Sequence, residues 1–443
     1  MIQEKDRMNT STNPFTYGNP ISNPVRFIGR RAEVEQVYTR LRNAEFESSS
    51  VVGERRTGKT SLLYFVAHPA IVSALGLDPD RYLFVYADLQ MVDQRTTPTR
   101  FWARLLRRVA RKIEDGELQA AFQQASVQPE IDNYTLDDLF DLTDARDLHF
   151  ILLLDEFENV TENINFGTDF FYGLRALAIH HNLALITASK QELITLCHSD
   201  AVRASPFFNI FANINLPAFD DVEARALFDQ SLKGTGVRFT PAELSLLFDI
   251  AGTHPYFLQA AAHFLFTAHA RGMAAQQREQ FVLREFREEA VPSMADYWHH
   301  SDDGEKIALT TLALLARQGE AGQRRFSLGR LKQFYDRSDL TLSRLEKRAL
   351  VAAGKDGYEL FSSVFGDWII AELTDVMADV KSYEEWLEAN QSAVQRLSRS
   401  ARDEAREILP RIKAVYREFI VEWLSNPQTL ISATTLLRGL IGV

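Results

Sequence analysis

Residues 49–61, Ser-Ser-Val-Val-Gly-Glu-Arg-Arg-Thr-Gly-Lys-Thr-Ser, narrow the possible folds of this chain more than any other stretch. An apolar strand through Val51 and Val52 runs into Gly53. Four residues later comes Gly58-Lys59-Thr60, and then the helix-forming Leu62-Leu63-Tyr64-Phe65. The spacing is that of a GxxxxGK[ST] phosphate-binding loop, set between a strand and a helix as its physics requires. Backbone N–H groups in such a loop converge on one anion. The helix that follows adds its unbonded N–H groups and the positive end of its dipole. Gly53 and Gly58 let the backbone turn and approach phosphate oxygens. Lys59 is expected at the β- and γ-phosphates and Thr60 at Mg²⁺, with Arg56, Thr57 and Ser61 completing the loop's candidate nucleotide contacts.

A partner motif follows. Phe150-Ile-Leu-Leu-Leu runs straight into Asp155-Glu156-Phe157-Glu158, the pattern of a buried parallel strand whose acids emerge at its carboxyl end. Asp155 is expected to hold the metal's water shell and Glu156 to polarise the attacking water. Leu183-Ala-Leu-Ile-Thr-Ala-Ser189-Lys190 reads as another apolar strand. Its end would put a hydroxyl beside the γ-phosphate, Ser189 first and Thr187 second, unless Ser189 is simply a helix cap. With strands at 81–90 and 213–219 and helices between, the expected class is α/β, a parallel sheet covered on both faces.

At 443 residues the chain has room for two to four domains. Its 46% hydrophobic and 25% charged residues are ordinary for a soluble globular protein. A single cysteine, Cys197, excludes a disulfide framework or a cysteine-based zinc site and fits a reducing cytoplasm. No signal-peptide or membrane-spanning pattern is evident, so no membrane partner is expected. Net charge of −11 argues against a nucleic-acid footprint over the whole surface.

In chain order, residues 1–26 should run extended and 27–219 form the phosphate-binding core. Residues 220–300 then read as a helical lid, with helices at 220–232, 241–250, 255–271 and 275–290. Within it, Gly252 ends one helix and Pro255 opens the next. That places His254 at a helix N-terminus, suited either to touching phosphate or to capping. Residues 301–375 give three short helices and a hairpin, the order of a winged helix. A basic island from Arg324 to Lys355 includes Arg344, Lys347 and Arg348 on its third helix. Such an island suits either DNA or docking on an acidic surface. Residues 376–443 form a C-terminal helical region, with Ile408, Ile412, Val415, Phe419 and Trp423 expected on one apolar face and a last apolar piece at 430–441.

Together these residues resemble the STAND class of AAA+-related P-loop ATPases, signal-transduction switches, over roughly residues 13–370. The resemblance is carried by Asn13-Pro-Phe15, Phe27-Ile-Gly-Arg-Arg-Ala-Glu33, the loop from Gly53 to Ser61, Leu152-Leu-Leu-Asp-Glu156 and Gly252-Thr-His-Pro255. It implies that Phe27, Ile28 and Arg30 lie against adenine and that His254 and Pro255 meet the nucleotide. The implied ligands are ATP and ADP with Mg²⁺. ADP would hold the molecule closed, ATP would favour an open state that binds a protein partner or its own copies, and slow ATP hydrolysis would reset it. Two features depart from the family. Ser205-Pro-Phe-Phe-Asn-Ile210 lacks the expected arginine, leaving Arg203 as the nearby substitute, and no long C-terminal repeat array follows. The competing expectation is a DNA-binding, origin-initiator-like AAA+ ATPase that uses the winged helix.

Overall fold

A computed structural model describes residues 12–319, 324–335, 337–374, 379–425 and 436–438. The chain divides into two compact units, residues 18–231 and the described residues of 1–17 and 232–443.

The first unit is built on five parallel strands: β1 (Ser49–Val52), β2 (Tyr82–Asp88), β3 (His149–Asp155), β4 (Leu183–Ser189) and β5 (Ala212–Asn215). Their order across the sheet is β2-β3-β4-β1-β5. Residues 150–154 of β3 have no exposure at all, because strands pair with it on both sides and helices cover both faces. Side chains alternate across a strand, and the apolar run divides accordingly. Phe150, Leu152 and Leu154 join one core with Phe122, Phe140 and Phe171; Ile151 and Leu153 join the other with Tyr38, Leu62 and Leu63. An unbroken hydrophobic run is thus the signature of a strand buried on both faces. Truncating Leu152 to alanine would cost about 2–5 kcal/mol.

Register brings the strand ends level. Val52 pairs with both Ser189 and Asn215, and Asp88 pairs with Asp155. The residues that follow β1, β3 and β4 therefore emerge along one edge of the sheet, where parallel α/β sheets bind ligands. Two helices not expected from the sequence bury apolar residues at helical spacing, Leu118, Phe122 and Ala125 in one and Phe170, Leu174 and Leu177 in the other. Gly116–Ala125 is N-capped by the Asp115 side chain, and Thr168–His180 covers β4. The expected last strand, 213–219, is confined to Ala212–Asn215.

The second unit is almost entirely helical. Pro241–Ala251 opens with a reciprocal cap between Thr240 and Glu243 and is followed by Pro255–Ala270. The next helix, expected to stop near 290, runs from Ala275 to His299 straight through Pro292. An interior proline costs a helix about 3 kcal/mol, and burial of Met294, Tyr297 and Trp298 beyond it offsets that. Asp303–Gln318, Leu328–Leu331 and Ser338–Lys347 then precede an antiparallel hairpin of β6 (Val351–Gly354) and β7 (Gly357–Leu360). Phe326 bridges to Tyr358 on the hairpin's outer edge.

Four short helices follow between Val380 and Ser425. The apolar face expected there is observed in part: Ile408, Ile412 and Trp423 are buried, Phe419 is half-buried and Val415 is not buried. Val415 is 78% exposed, and the last of these helices, Ala414–Ser425, buries Arg417, Ile420, Val421 and Trp423. The helical period is broken at Leu409–Arg411, a 3₁₀ turn around Pro410, so the phase set by Ile408 does not carry past it. The apolar piece expected at 430–441 lies outside the described residues except for 436–438.

Residues 12–17 run without helix or strand, Pro24–Arg26 in the stretch expected to be extended forms a 3₁₀ turn, and residues 13–17 belong to the second unit. Asn13 Nδ2 donates to the His263 carbonyl at 2.9 Å, and His263 Nδ1 lies 2.8 Å from the Phe15 carbonyl. Phe15 is wholly buried against Phe239 and Phe266.

Candidate nucleotide site

The loop after β1 folds as its spacing requires. Gly58 lies at φ 100°, a conformation that glycine alone adopts without strain, and the helix Lys59–Val66 begins directly after it. Arg56 is also left-handed, and its side chain is exposed. The buried Thr57 hydroxyl donates to the Glu54 carbonyl at 2.8 Å, closing the turn. Lys59 Nζ, itself buried, donates to the carbonyls of Gly53 at 2.8 Å and Glu54 at 3.1 Å. Burial pulls its ammonium pKa down, while Glu156, Glu158, Glu54 and Asp155 act to raise it.

Opposite the loop, the acids at the end of β3 take distinct roles. Asp155 Oδ2 accepts from Thr60 Oγ1 and from the Tyr86 hydroxyl, both at 2.8 Å. This joins the first turn of the P-loop helix to the end of β3, the two ligands a phosphate-bound Mg²⁺ would take from the protein. Asp155 Oδ1 accepts from the Glu156 N–H at 3.1 Å. Glu156 sits at φ 56°, a strained left-handed position that turns the chain sharply as it leaves the strand. Tyr86 escaped the sequence reading. Burial and the charge of Asp155 push its phenol well above the ordinary value, so it stays a donor at every physiological pH.

Glu158 is the second residue that sequence reasoning left without a role. It is 5% exposed, its Oε1 accepts from the Lys190 N–H at 3.2 Å, and its Oε2 has no hydrogen-bond partner among the described residues. Burial first, then the charge of Glu156, raises its pKa. The only sequence signal was its place three residues after Asp155.

Ser189 ends β4 beside the loop, its carbonyl accepting from the Gly53 N–H at 3.2 Å. Its hydroxyl donates to the Gln191 carbonyl at 2.7 Å, whereas the Thr187 hydroxyl is buried with no partner among the described residues. Ser61 accepts the Ile21 N–H at 3.0 Å.

The expected adenine-side residues are brought together on the P-loop flank. Phe27 stacks on Phe65 with 4.3 Å between ring centroids, and Ile28 is buried. Arg30 is left-handed and 3% exposed. Its guanidinium reaches the Pro217 carbonyl at 2.6 Å and the Thr57 carbonyl at 3.3 Å, and it lies over the Phe219 ring. In this structure it ties the loop to the segment after β5.

His254 and Pro255 lie in the other unit, at the start of the helix Pro255–Ala270. His254, read from the sequence as suited to touching phosphate or to capping, is enclosed completely and makes no side-chain cap. Its ring packs against Phe257 and Phe361, with Nε2 3.5 Å from the Tyr297 hydroxyl. Aromatic residues as far as Phe361, more than a hundred positions away, supply that enclosure, which no local pattern reveals. Arg203, the substitute considered for an arginine finger, pairs with Asp200 at 3.0 Å.

The family model described as novel STAND NTPase 2 matches residues 43–310, more than half of the chain. Among solved structures, the ORC2 protein of Aeropyrum pernix, determined as ADPNP–ADP complexes, is similar at 15% identity and a TM-score of 0.51. That match covers 82% of this chain and 96% of that one. A Walker-type ATPase of Pyrococcus abyssi follows at 14% identity and a TM-score of 0.48, covering 79% and 98%. The ORC1 protein of Aeropyrum pernix, solved in complex with DNA, matches at 14% identity and 0.42, covering 78% and 93%. At 15% identity the likeness to the ORC2 protein is one of fold. No curated protein matches the chain.

Proposed function

Because the chain belongs to the novel STAND NTPase 2 family, whose members are P-loop NTPases, we propose that its nucleotide cycle drives a molecular switch fuelled by ATP. The observation that carries the reading is the bond between Thr60 Oγ1 and Asp155 Oδ2, which draws the phosphate loop and the end of β3 into one site. The loop's N–H groups and Lys59 bind the β- and γ-phosphates; Thr60 and Asp155 are the residues that would hold Mg²⁺. When bound there, the metal supplies neutralisation of charge on the two terminal phosphates. Glu156 takes the proton of the attacking water. Phe27, Ile28 and Arg30 form the adenine side.

Residues 220–300 act as the lid, within which the enclosed His254 packs the start of the helix Pro255–Ala270. The three helices and hairpin of 301–375 act as a winged helix. ADP stabilises a closed state, and ATP favours one that recruits a protein partner or further copies of the chain. A ligand shifts such an equilibrium only by its difference in affinity for the two states. The single, half-buried thiol of Cys197 suits a cytoplasmic setting. Among the described residues no helix is long and apolar enough to cross a membrane.

The nucleotide retained through purification tests the reading. ADP is expected, and Lys59→Ala should emerge without nucleotide, since it removes the charge facing the phosphates. Glu156→Gln should bind ATP and lose about 10²–10⁴-fold in single-turnover hydrolysis. Normal hydrolysis by that variant would remove Glu156 as the base.

A further inference from the structure

Asp155 and Glu156 are spoken for by the motif, but Glu158 is not, and its placement is unusual. It opens the short helix Glu158–Thr161, whose start is anchored by the Phe157 N–H on the Ala188 carbonyl at 2.9 Å. From there the side chain reaches over the end of β4, where the Lys190 N–H fixes Oε1. β4 lies between β3 and β1, so the carboxylate stands between the strand that supplies the acids and the strand that supplies the phosphate loop. Both Glu156 and Lys59 are close enough for their charges to act on it.

Leaving an acceptor buried and unsatisfied costs about 1–3 kcal/mol, more when it is charged. A group placed only to tie β3 to β4 would be served by Oε1 alone, and glutamine would do it without burying a charge. An acceptor at this spot acquires a purpose from the water that must approach the terminal phosphate. That water has two hydrogens to be directed away from phosphorus so that a lone pair faces it.

Building on the NTPase reading above, we propose that Glu158 is a second catalytic carboxylate: its Oε2 accepts one hydrogen of the attacking water while Glu156 accepts the other. As the water oxygen bonds to the terminal phosphorus, the bond from phosphorus to the bridging oxygen breaks and its electron pair leaves with the diphosphate. One water proton passes to Glu156. The other stays on the phosphate formed, released from Glu158 as the geometry inverts. Two acceptors on one water fix its orientation as well as its basicity, which a single carboxylate cannot do.

Single-turnover hydrolysis, ATP affinity by titration and melting temperature are measured on the full chain for Glu158→Gln, Glu158→Asp, Glu156→Gln and the double glutamine variant. Expected for Glu158→Gln is a loss of about tenfold to a hundredfold in rate, with ATP affinity within about threefold and melting temperature not lowered. Because both groups act on one water, the double variant should be little slower than Glu156→Gln alone. Glu158→Asp, which keeps the charge and withdraws it by one methylene, should fall between wild type and Glu158→Gln, and it carries the test if the glutamine variant does not fold. A wild-type rate in Glu158→Gln, or losses that simply multiply in the double variant, overturns the proposal. Failure of Lys59→Ala to abolish ATP binding would instead remove the underlying site, whatever the Glu158 variants do.

Discussion

His181 shows how a single side chain can carry a pH dependence that no motif announces. Its Nδ1 lies 2.7 Å from Asp144 Oδ2 and its Nε2 2.9 Å from Asp137 Oδ1, with Asp141 a little further away at 3.7 Å. Burial lowers its pKa, but the hydrogen bonds and charges of Asp137 and Asp144 outweigh that, and the net direction is upward. A raised histidine contributes stability that is fully present below its unfolded pKa, about 6.5, and is lost as pH rises through the folded value. His181→Gln should therefore lower the melting temperature at pH 5.5 and converge on wild type in alkaline buffer; a pH-independent difference would refute the ion pairing. Asp137, Asp141 and Asp144 are spaced four and three apart on one helix, which is legible in the sequence. What the sequence withholds is the histidine nearly forty residues on that they surround. The site divides in the same way. Lys59, Thr60 and Asp155 follow from spacing alone, because chemistry dictates those residue types at those intervals. Tyr86 and Glu158 belong to the site through strand register and a helix start, which spacing does not encode.

Elements were read well where one periodicity rules and poorly where tertiary contacts decide. The strand at 150–155 and the helices at 241–251 and 255–270 follow from runs, caps and prolines. The helix that continues through Pro292 and the face partly changed after Pro410 do not, since burial of particular side chains overrides the local preference. The short helix Ser338–Lys347 illustrates how charge alone misleads. Its Arg344 pairs with Asp302 at 2.9 Å, and Arg348 reaches Glu305 at 2.5 Å, the Ser301 hydroxyl at 3.1 Å and the Tyr297 carbonyl at 3.3 Å. Basic residues engaged by acids of their own unit are poorly placed to neutralise phosphates, which argues against DNA. Arg348→Glu sets two buried carboxylates against each other and should cost about 3–5 kcal/mol, the cost of breaking a buried pair. Chemical denaturation checks that. A filter-binding titration of the unmodified protein should meanwhile show no sequence-selective DNA affinity at physiological salt.

Across the whole molecule, the proposed nucleotide site lies within residues 18–231, and the other unit joins residues 12–17 to the described residues from 232 on. Gly252 marks how closely the second unit is packed. It lies at φ 57°, and a Cβ there would sit 2.1 Å from the Phe361 carbonyl oxygen, far inside contact distance. Gly252→Ala should accordingly lower that unit's stability by more than the ~1 kcal/mol of an ordinary glycine substitution while leaving ATP binding to the first unit intact. Calorimetry with a parallel nucleotide titration separates the two effects. Loss of both together would mean that the units do not fold independently.

The N-terminal residues also fix an order of events in time. Everything the P-loop sheet needs lies in one continuous stretch, so it can fold as it is made. Asn13 and Phe15, by contrast, are held by His263, Phe266 and Thr267, and the bond from Asn13 to His263 spans 250 residues. At about 5–20 residues per second, a ribosome needs roughly ten to fifty seconds to supply those partners. For that interval the first aromatic residues of the chain have nowhere to go. The sheet can form first, and Asn13 and Phe15 are among the residues that wait longest for their partners.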